Sequence, residues 1–128
     1  MEKTITTSSA EETVQLAEKI GTQLRGGECI EFVSDLGGGK TTFTAGLAKG
    51  LGSEQVVSSP TFTIGKQYRA GDKTIYHFDF YRLQDPGLVQ EELAEATENP
   101  QSIIVVEWGE TVKHVLPKHR LHIDIQKV

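Results

Sequence analysis

The chain has 128 residues, of which 37% are hydrophobic and 24% are charged, and its formal net charge is −5 at pH 7. This length and composition are typical of one compact globular domain, so we predict a single domain over residues 1–128. The acidic balance argues against broad electrostatic binding of nucleic acid, which favours a basic surface, so any contact with nucleic acid is expected to come mainly through a partner.

The sequence shows no sign of a membrane span or of a disulfide. No apolar stretch approaches the ~20 residues that a bilayer-spanning helix needs, so we expect a cytoplasmic protein that does not enter a membrane. Cys29 is the only cysteine, which excludes an internal disulfide and a thiolate metal cluster. It lies in an apolar run, where a buried and unreactive thiol is expected.

A short strand and then a helix are predicted first. Residues 4–7 are rich in β-branched side chains, and Ser9 and Glu12 have the spacing of a capping box at a helix start. Apolar residues then repeat at helical spacing from Val14 to Leu24, and the glycine pair that follows is expected to end the helix.

The strongest functional signal is a glycine-rich turn between a predicted strand and a predicted helix. Residues 28–33 are typical of a buried strand, residues 34–42 read SDLGGGKTT, and residues 41–49 have a helical pattern that Gly50 is expected to end. This order is the one that a phosphate-binding P-loop requires. The glycines let successive backbone N–H groups face phosphate oxygens, while the following helix presents its positive end to the same anion.

Two side chains of this turn are expected to act on a nucleotide. In a P-loop, Lys40 would reach the β- and γ-phosphates, and the Thr41 hydroxyl would bind Mg²⁺. Ser34 stands where the pattern G-x-x-x-x-G-K-[ST] has its first glycine. That position mainly needs a sharp turn, so the P-loop interpretation stands. The alternative is a glycine-rich turn that binds nothing.

A hydroxyl-rich loop follows a short buried segment at residues 56–57. Residues 58–63 read SSPTFT, and their place after the P-loop helix resembles that of a switch segment. Thr61 could offer its hydroxyl or carbonyl oxygen to Mg²⁺ or to an attacking water. An ordinary polar connector, with hydroxyls bonded to nearby backbone, is the alternative.

A hairpin is predicted next. Residues 62–69 and 73–79 are strand-like and are joined by a turn at Gly71. Asp79 ends the second strand, and a carboxylate there can hold Mg²⁺ or its water shell, as a Walker-B acid does. A helix cap or an ordinary loop acid is the alternative for Asp79.

The following helix, predicted over residues 88–96, has an acidic face. Its glutamates are Glu91, Glu92, Glu95 and Glu98. A solvated outer face is expected, and a docking surface for a basic partner is the alternative.

A continuous apolar run at residues 103–106 predicts a strand covered on both faces. It is followed directly by Glu107 and Trp108. Ligands bind at the carboxyl ends of strands in open α/β sheets, so Glu107 is expected to share a crevice with Lys40. Asp79 and Glu107 are then both candidates for the metal ligand. One of them would bind the metal, and the other would orient the hydrolytic water. Trp108 is expected either near the nucleotide or packed at the sheet edge.

A short helix over residues 111–116 and a last strand over residues 120–125 complete the prediction. His114, His119 and His122 do not have metal-ligand spacing on one helix face, so no zinc site is predicted.

Four segments together resemble one family, the bacterial TsaE (YjeE) ATPases of tRNA threonylcarbamoyladenosine synthesis. They read DLGGGKTT, SPTF, HFDFYRL and VEW, at residues 35–42, 59–62, 77–83 and 106–108. The resemblance implies a single-domain α/β P-loop NTPase whose mostly parallel central sheet is flanked by helices and carries an antiparallel hairpin. It also implies slow hydrolysis of ATP with Mg²⁺. The partners would be TsaB and TsaD, which modify ANN-decoding tRNAs, and the ATPase would reset their complex between turnovers.

The resemblance also assigns site residues. The catalytic residues would be Lys40, Thr61, Asp79 and Glu107, and the metal would be held by Thr41, Asp79 and Glu107. ATP would be bound by Asp35, Leu36, Gly37, Gly38, Gly39, Lys40, Thr41, Thr42 and Trp108. Contact with tRNA would be indirect, and the isolated protein is expected to be a monomer or a weak oligomer. Ser34 and Gly38 depart from the usual family pattern, and Ser34 bears on nucleotide affinity.

Two other functions are compatible with a P-loop. A small kinase would need an acceptor pocket and a lid with several arginines, whereas the chain offers only Arg25, Arg69, Arg82 and Arg120. A nucleotide-gated adaptor would use ATP binding without needing hydrolysis. A GTPase is disfavoured, because no Asn-Lys-x-Asp segment occurs.

Overall fold

The computed structural model describes residues 4–32, 40–53, 56–57, 65–79, 87–107 and 115–125. Within these ranges the elements are α1 (Ala10–Gly21), β1 (Cys29–Phe32), α2 (Lys40–Leu51), β2 (Val56–Val57), β3 (Gly65–Ala70), β4 (Lys73–Asp79), α3 (Gly87–Glu98), β5 (Ser102–Glu107) and β6 (Leu121–Ile123). None of the helices in these ranges combines the length and the apolar composition that crossing a membrane requires.

The described strands form one six-stranded sheet in the order β2-β3-β4-β5-β1-β6. Strands β4, β5, β1 and β6 pair in parallel, whereas β2 pairs with β3, and β3 with β4, in antiparallel fashion. The β3–β4 hairpin turns at Gly71, whose φ of 65° is left-handed. The predicted α/β fold, with a mostly parallel sheet and an antiparallel hairpin, is confirmed.

Helices cover both faces of the sheet, because successive side chains of a strand point to opposite faces and both sets are apolar here. On one face, called the α2 face, Phe32 and Val105 pack with Phe43 and Leu47 of α2. On the other, called the α3 face, Val106 and its neighbours pack with α3. The predictions that residues 103–106 are covered on both faces and that Phe43 and Leu47 face the sheet are confirmed.

Cys29 lies buried on the α3 face, as predicted. Burial disfavours the thiolate and raises the pKa of this thiol to about 12, against a weaker opposing influence of Arg120. The thiolate is the reactive form of cysteine, so this side chain is a core residue and not a nucleophile.

Helices α1 and α2 approach so closely that only glycine fits at their contact. A Cβ built on Gly50 would lie 2.1 Å from the carbonyl oxygen of Glu18, and one built on Gly46 would lie 2.7 Å from the Cβ of Ala17. Heavy atoms do not approach so closely without displacement, and the neighbour of Gly50 is rigid backbone. The contact therefore helps to fix the position of α2 on the sheet.

Replacing Gly50 with alanine is expected to lower the free energy of unfolding by about 2 kcal/mol. Alanine would favour the helix itself by ~1 kcal/mol, but the added methyl group must push α1 away from α2 and disturb the core between them. Denaturant unfolding followed by circular dichroism measures the change.

Lys49→Ala is the matched control for that substitution. The side chain of Lys49 is 72% exposed and forms an ion pair with Glu18 of α1 at 3.1 Å. Exposed pairs of this kind contribute little, so a change below about 1 kcal/mol is expected. Equal stability of Gly50→Ala and the unmodified protein would show that the two helices can separate without cost.

The start of the chain differs from the prediction. Residues 4–7 are not a strand, and the hydroxyl of Thr7 instead bonds to that of Thr13 at 2.7 Å, beside the start of α1. Ser9 caps α1 as predicted, because its Oγ accepts from the N–H of Glu12 at 3.1 Å. The Glu12 carboxylate accepts from the N–H of Ser8 at 2.6 Å, rather than from Ser9. This bond is the main cause that lowers the pKa of Glu12.

Three element ends also differ from the predictions. Helix α1 ends at Gly21, because Thr22 follows as its cap and its hydroxyl donates to the carbonyl of Lys19. Helix α2 continues through Gly50, which serves the contact with α1. It stops before Gly52, whose φ of 105° is left-handed. Strand β6 is shorter than the predicted 120–125. The predicted helix at 111–116 lies mostly outside the described residues.

The acidic face of α3 is confirmed for three of its four predicted members. Glu91, Glu95 and Glu98 are exposed, whereas Glu92 is half-buried. Desolvation, together with the charge of Glu95, raises the pKa of Glu92, and its Oε2 has no hydrogen-bond partner among the described residues. The helix therefore turns Glu92 toward the protein, which corrects its predicted place on the solvated face.

Candidate functional site

Three strands end at one edge of the sheet, here called the carboxyl edge. Phe32, Glu107 and Asp79 are register neighbours at the ends of β1, β5 and β4. The ring of Phe32 meets that of Phe43, in the first turn of α2, edge to face with centroids 5.8 Å apart. The first turn of α2 therefore lies at the end of β1, and β1 is the neighbour of β5 in the sheet.

The start of α2 has the properties of an anion site. The helix begins at Lys40 and has no acidic residue in its first turn. The first N–H groups of a helix have no partner within the helix, and the helix dipole places partial positive charge there. Phosphate groups bind at such helix starts. The structure describes the backbone of Lys40 and Thr41 in α2, but their side chains lie outside the described part.

Glu107 brings a buried carboxylate to the same edge. Its Oε2 lies 2.6 Å from Nε2 of His77, and the two side chains are only 11% and 7% exposed. His77 on β4 lies on the α2 face of the sheet, as Glu107 does on β5. If Glu107 is ionised, its carboxylate can only accept, and Nε2–H of His77 is then the donor in this bond.

His77 was not among the predicted site residues. The alternation of β4 was visible in the sequence, and it places His77 and Phe78 on opposite faces. To predict the contact between His77 and Glu107, one must also know that β4 and β5 are neighbours and that Asp79 is the register partner of Glu107.

The structure brings some predicted site residues together and leaves others untested. Asp79 and Glu107 are register neighbours at the carboxyl edge, Lys40 and Thr41 begin α2, and Thr42 is half-buried in the first turn of that helix. The side chain of Asp79 is not among those described. Seven further predicted residues lie outside the described residues: Asp35, Leu36, Gly37, Gly38, Gly39, Thr61 and Trp108.

A second buried carboxylate, Glu31, lies on the opposite face of the sheet. Its Oε1 accepts from Nε of Arg120 at 2.7 Å, and Nε2 of His122 lies 3.1 Å away. Arg120 also donates to the carbonyl oxygen of Pro117 at 2.9 Å. These contacts tie the edge strand β6 to β1. They stabilise the sheet and belong to no part of the carboxyl edge.

The carboxyl edge suits a group that carries both a cation and phosphates. The helix start favours an anion, and the carboxylate of Glu107 is the type of oxygen ligand that Mg²⁺ prefers. Within the described residues no three potential ligands are assembled around one point. Mg²⁺ commonly takes only one or two protein carboxylates and completes its shell with water and substrate phosphates, so this donor set fits a magnesium–nucleotide complex.

Comparison with known proteins identifies the relatives of this chain. The profile of the family described as "Threonylcarbamoyl adenosine biosynthesis protein TsaE" matches residues 7–128. The TsaE protein of Bacillus subtilis is 39% identical over 122 residues, which cover 94% of this chain and 75% of that protein. The Haemophilus influenzae TsaE protein is 41% identical over 91 residues, which cover 71% of this chain and 58% of that protein.

A solved structure has the same fold. The crystal structure of YdiB from Bacillus subtilis superposes with a TM-score of 0.68 at 34% sequence identity, and the match covers 92% of this chain and 72% of that one. The family profile, the relatives and the shared fold agree with the four sequence motifs. The chain therefore belongs to the TsaE family, which acts in tRNA threonylcarbamoyladenosine biosynthesis.

Proposed function

We propose that this protein binds ATP with Mg²⁺ at the carboxyl edge and hydrolyses it slowly, in support of the N6-threonylcarbamoyladenosine modification of tRNA. The observation that carries the proposal is the buried carboxylate of Glu107 at the edge where α2 begins. A phosphate-binding helix start and an acid on the adjoining strand are the parts that phosphoryl transfer to water needs, since this chemistry depends on positioning and charge neutralisation more than on covalent steps.

Each proposed site residue has one task. The backbone N–H groups of residues 35–39 and the Lys40 side chain bind the phosphates, and Thr41 contributes its hydroxyl to the metal. One of Asp79 and Glu107 completes the protein's share of the metal ligands, while the other orients the attacking water. Bound Mg²⁺ would neutralise the charge that develops on the phosphate oxygens.

Three more residues complete the proposed nucleotide site. Thr61, in the segment that resembles a switch, offers an oxygen to the metal or to the attacking water. Trp108, directly after Glu107, lies beside the nucleotide. Thr42 continues the first turn of α2 behind Thr41.

The proposed partners are TsaB and TsaD, in the cytoplasm. Hydrolysis resets their complex between turnovers, and the tRNA is contacted through them. The net charge of −5 supports this division, because an acidic protein is poorly suited to hold a phosphate backbone alone. Alone, the protein is proposed to be a monomer or a weak oligomer.

Phosphate release from Mg-ATP tests the proposal. The purified protein is expected to release inorganic phosphate slowly and to release it faster when TsaB and TsaD are added. The rate of release is expected to fall to background when EDTA removes Mg²⁺. Transfer of the phosphoryl group to an acceptor molecule would identify a kinase instead. Repeated tRNA modification with no ATP consumed would identify a nucleotide-gated adaptor.

A further inference from the structure

We infer that His77 is a positioning residue for the carboxylate of Glu107. The inference rests on the proposed function, and it assigns to that site a residue that does not itself touch the nucleotide. Its basis is the short, buried contact between Nε2 of His77 and Oε2 of Glu107 at the carboxyl edge.

The strand pairing makes this contact a diagonal one between neighbouring parallel strands. His77 pairs in register with Val105, and Glu107 lies two residues farther along β5 on the same face. The imidazole therefore reaches along the sheet toward the carboxyl edge. Both residues belong to strands of the sheet interior, so their backbones are held by hydrogen bonds on both sides. A contact between such strands is more rigid than one between loops.

Burial makes the contact directional. With 7% and 11% of the side chains exposed, water competes weakly for either partner. A buried polar group that loses its partner costs about 1–3 kcal/mol, so the arrangement in which Nε2–H meets Oε2 is strongly preferred. Glutamate has three rotatable side-chain bonds, and this bond restricts them. The carboxylate is thus held in one orientation before any ligand arrives.

A held carboxylate suits either task proposed for Glu107. A metal-binding carboxylate is commonly oriented by a further hydrogen bond, and loss of such a partner typically costs 10- to 100-fold in metal affinity or activity. A water-orienting carboxylate depends equally on its direction, because misplacement at the reacting centre lowers the rate steeply. The inference does not depend on which task Glu107 performs.

Substitution of His77 tests the inference through ATP turnover and ATP binding. His77→Leu removes the donor and is expected to lower kcat about 10- to 100-fold, while the dissociation constant for ATP measured without Mg²⁺ stays within about twofold. His77→Gln carries an amide N–H close to the position of Nε2 and is expected to recover most of the lost kcat. A purely structural role would not produce this rescue.

His122→Leu is the matched control. His122 also lies against a buried carboxylate, but that carboxylate is Glu31 on the α3 face. This variant is expected to keep the kcat of the unmodified protein. Thermal unfolding of each variant shows whether it folds. If His77→Leu does not fold, His77→Gln is the deciding variant.

Nitrogen-15 NMR of the histidine rings in nucleotide-free protein supplies a readout that is independent of activity. His77 is expected to show a protonated Nε2 that exchanges slowly with water, and Glu107→Ala is expected to remove this protection. A phosphate-releasing protein whose His77→Leu variant keeps full kcat, or whose His77 lacks the Nε2 proton, would overturn the inference. Absence of phosphate release from the unmodified protein would instead overturn the proposed function. The NMR result would still show whether the contact between His77 and Glu107 exists.

Discussion

Replacing Lys40 with alanine is expected to abolish measurable ATP binding and to lower kcat/KM for ATP at least about 10³-fold. Helix α2 begins at Lys40, at the carboxyl edge. The ammonium group of Lys40 would add a full positive charge to the partial positive charge of the helix start. Removal of one charged or polar group that contacts a transferring phosphate typically costs 10²–10³ or more in rate. Titration with a fluorescent ATP analogue and a phosphate-release assay measure the two effects.

Lys49→Ala provides the comparison for this variant. Lys49 lies in the last turn of the same helix, away from the carboxyl edge, and is paired with Glu18 at the surface. The Lys49→Ala variant loses the same charge from the same helix, but far from the carboxyl edge. Its ATP turnover is therefore expected to match that of the unmodified protein. If Lys40→Ala also matched it, the P-loop assignment would be wrong.

Replacing Glu107 with glutamine is expected to separate binding from hydrolysis. The amide oxygen of glutamine can still accept the hydrogen bond from Nε2 of His77, so the fold should be retained. The negative charge is lost, and turnover is expected to fall while ATP still binds; the fall is about 10²–10⁴-fold if Glu107 is the acid that acts on the attacking water. Single-turnover phosphate release and equilibrium ATP binding measure these two quantities.

Asp79→Asn, compared with Glu107→Gln, decides which acid serves the metal. The variant that lost the metal ligand should need more Mg²⁺ to reach half of its maximal rate. The other should keep the Mg²⁺ requirement of the unmodified protein and lose only rate. Glu95→Gln, on the exposed face of α3, controls for removal of one acidic charge and is expected to change neither quantity. Unaltered turnover in both test variants would contradict the proposed hydrolytic site.

Much of the architecture could be predicted from local pattern. The apolar run at residues 103–106 is β5, the alternation ending at Asp79 is β4, and Ser9 caps α1. These features depend on residues close in sequence, so periodicity and capping chemistry reveal them. The errors were the strand predicted over residues 4–7, the solvated place of Glu92 and several element ends. Gly50 resembles a helix stop in sequence, but its lack of a side chain serves the contact with Glu18 of α1.

Four short segments and the spacing of apolar residues are enough to indicate the family, the α/β fold class and the order of the motifs. Which side chains meet depends instead on how the chain packs. His77 and Glu107 are 30 residues apart, and Glu31 and Arg120 are 89 apart. Each pair forms because of strand order and register, with β5 between β4 and β1, and β6 outside β1. That order arises from packing the whole chain around one sheet, and no local pattern encodes it.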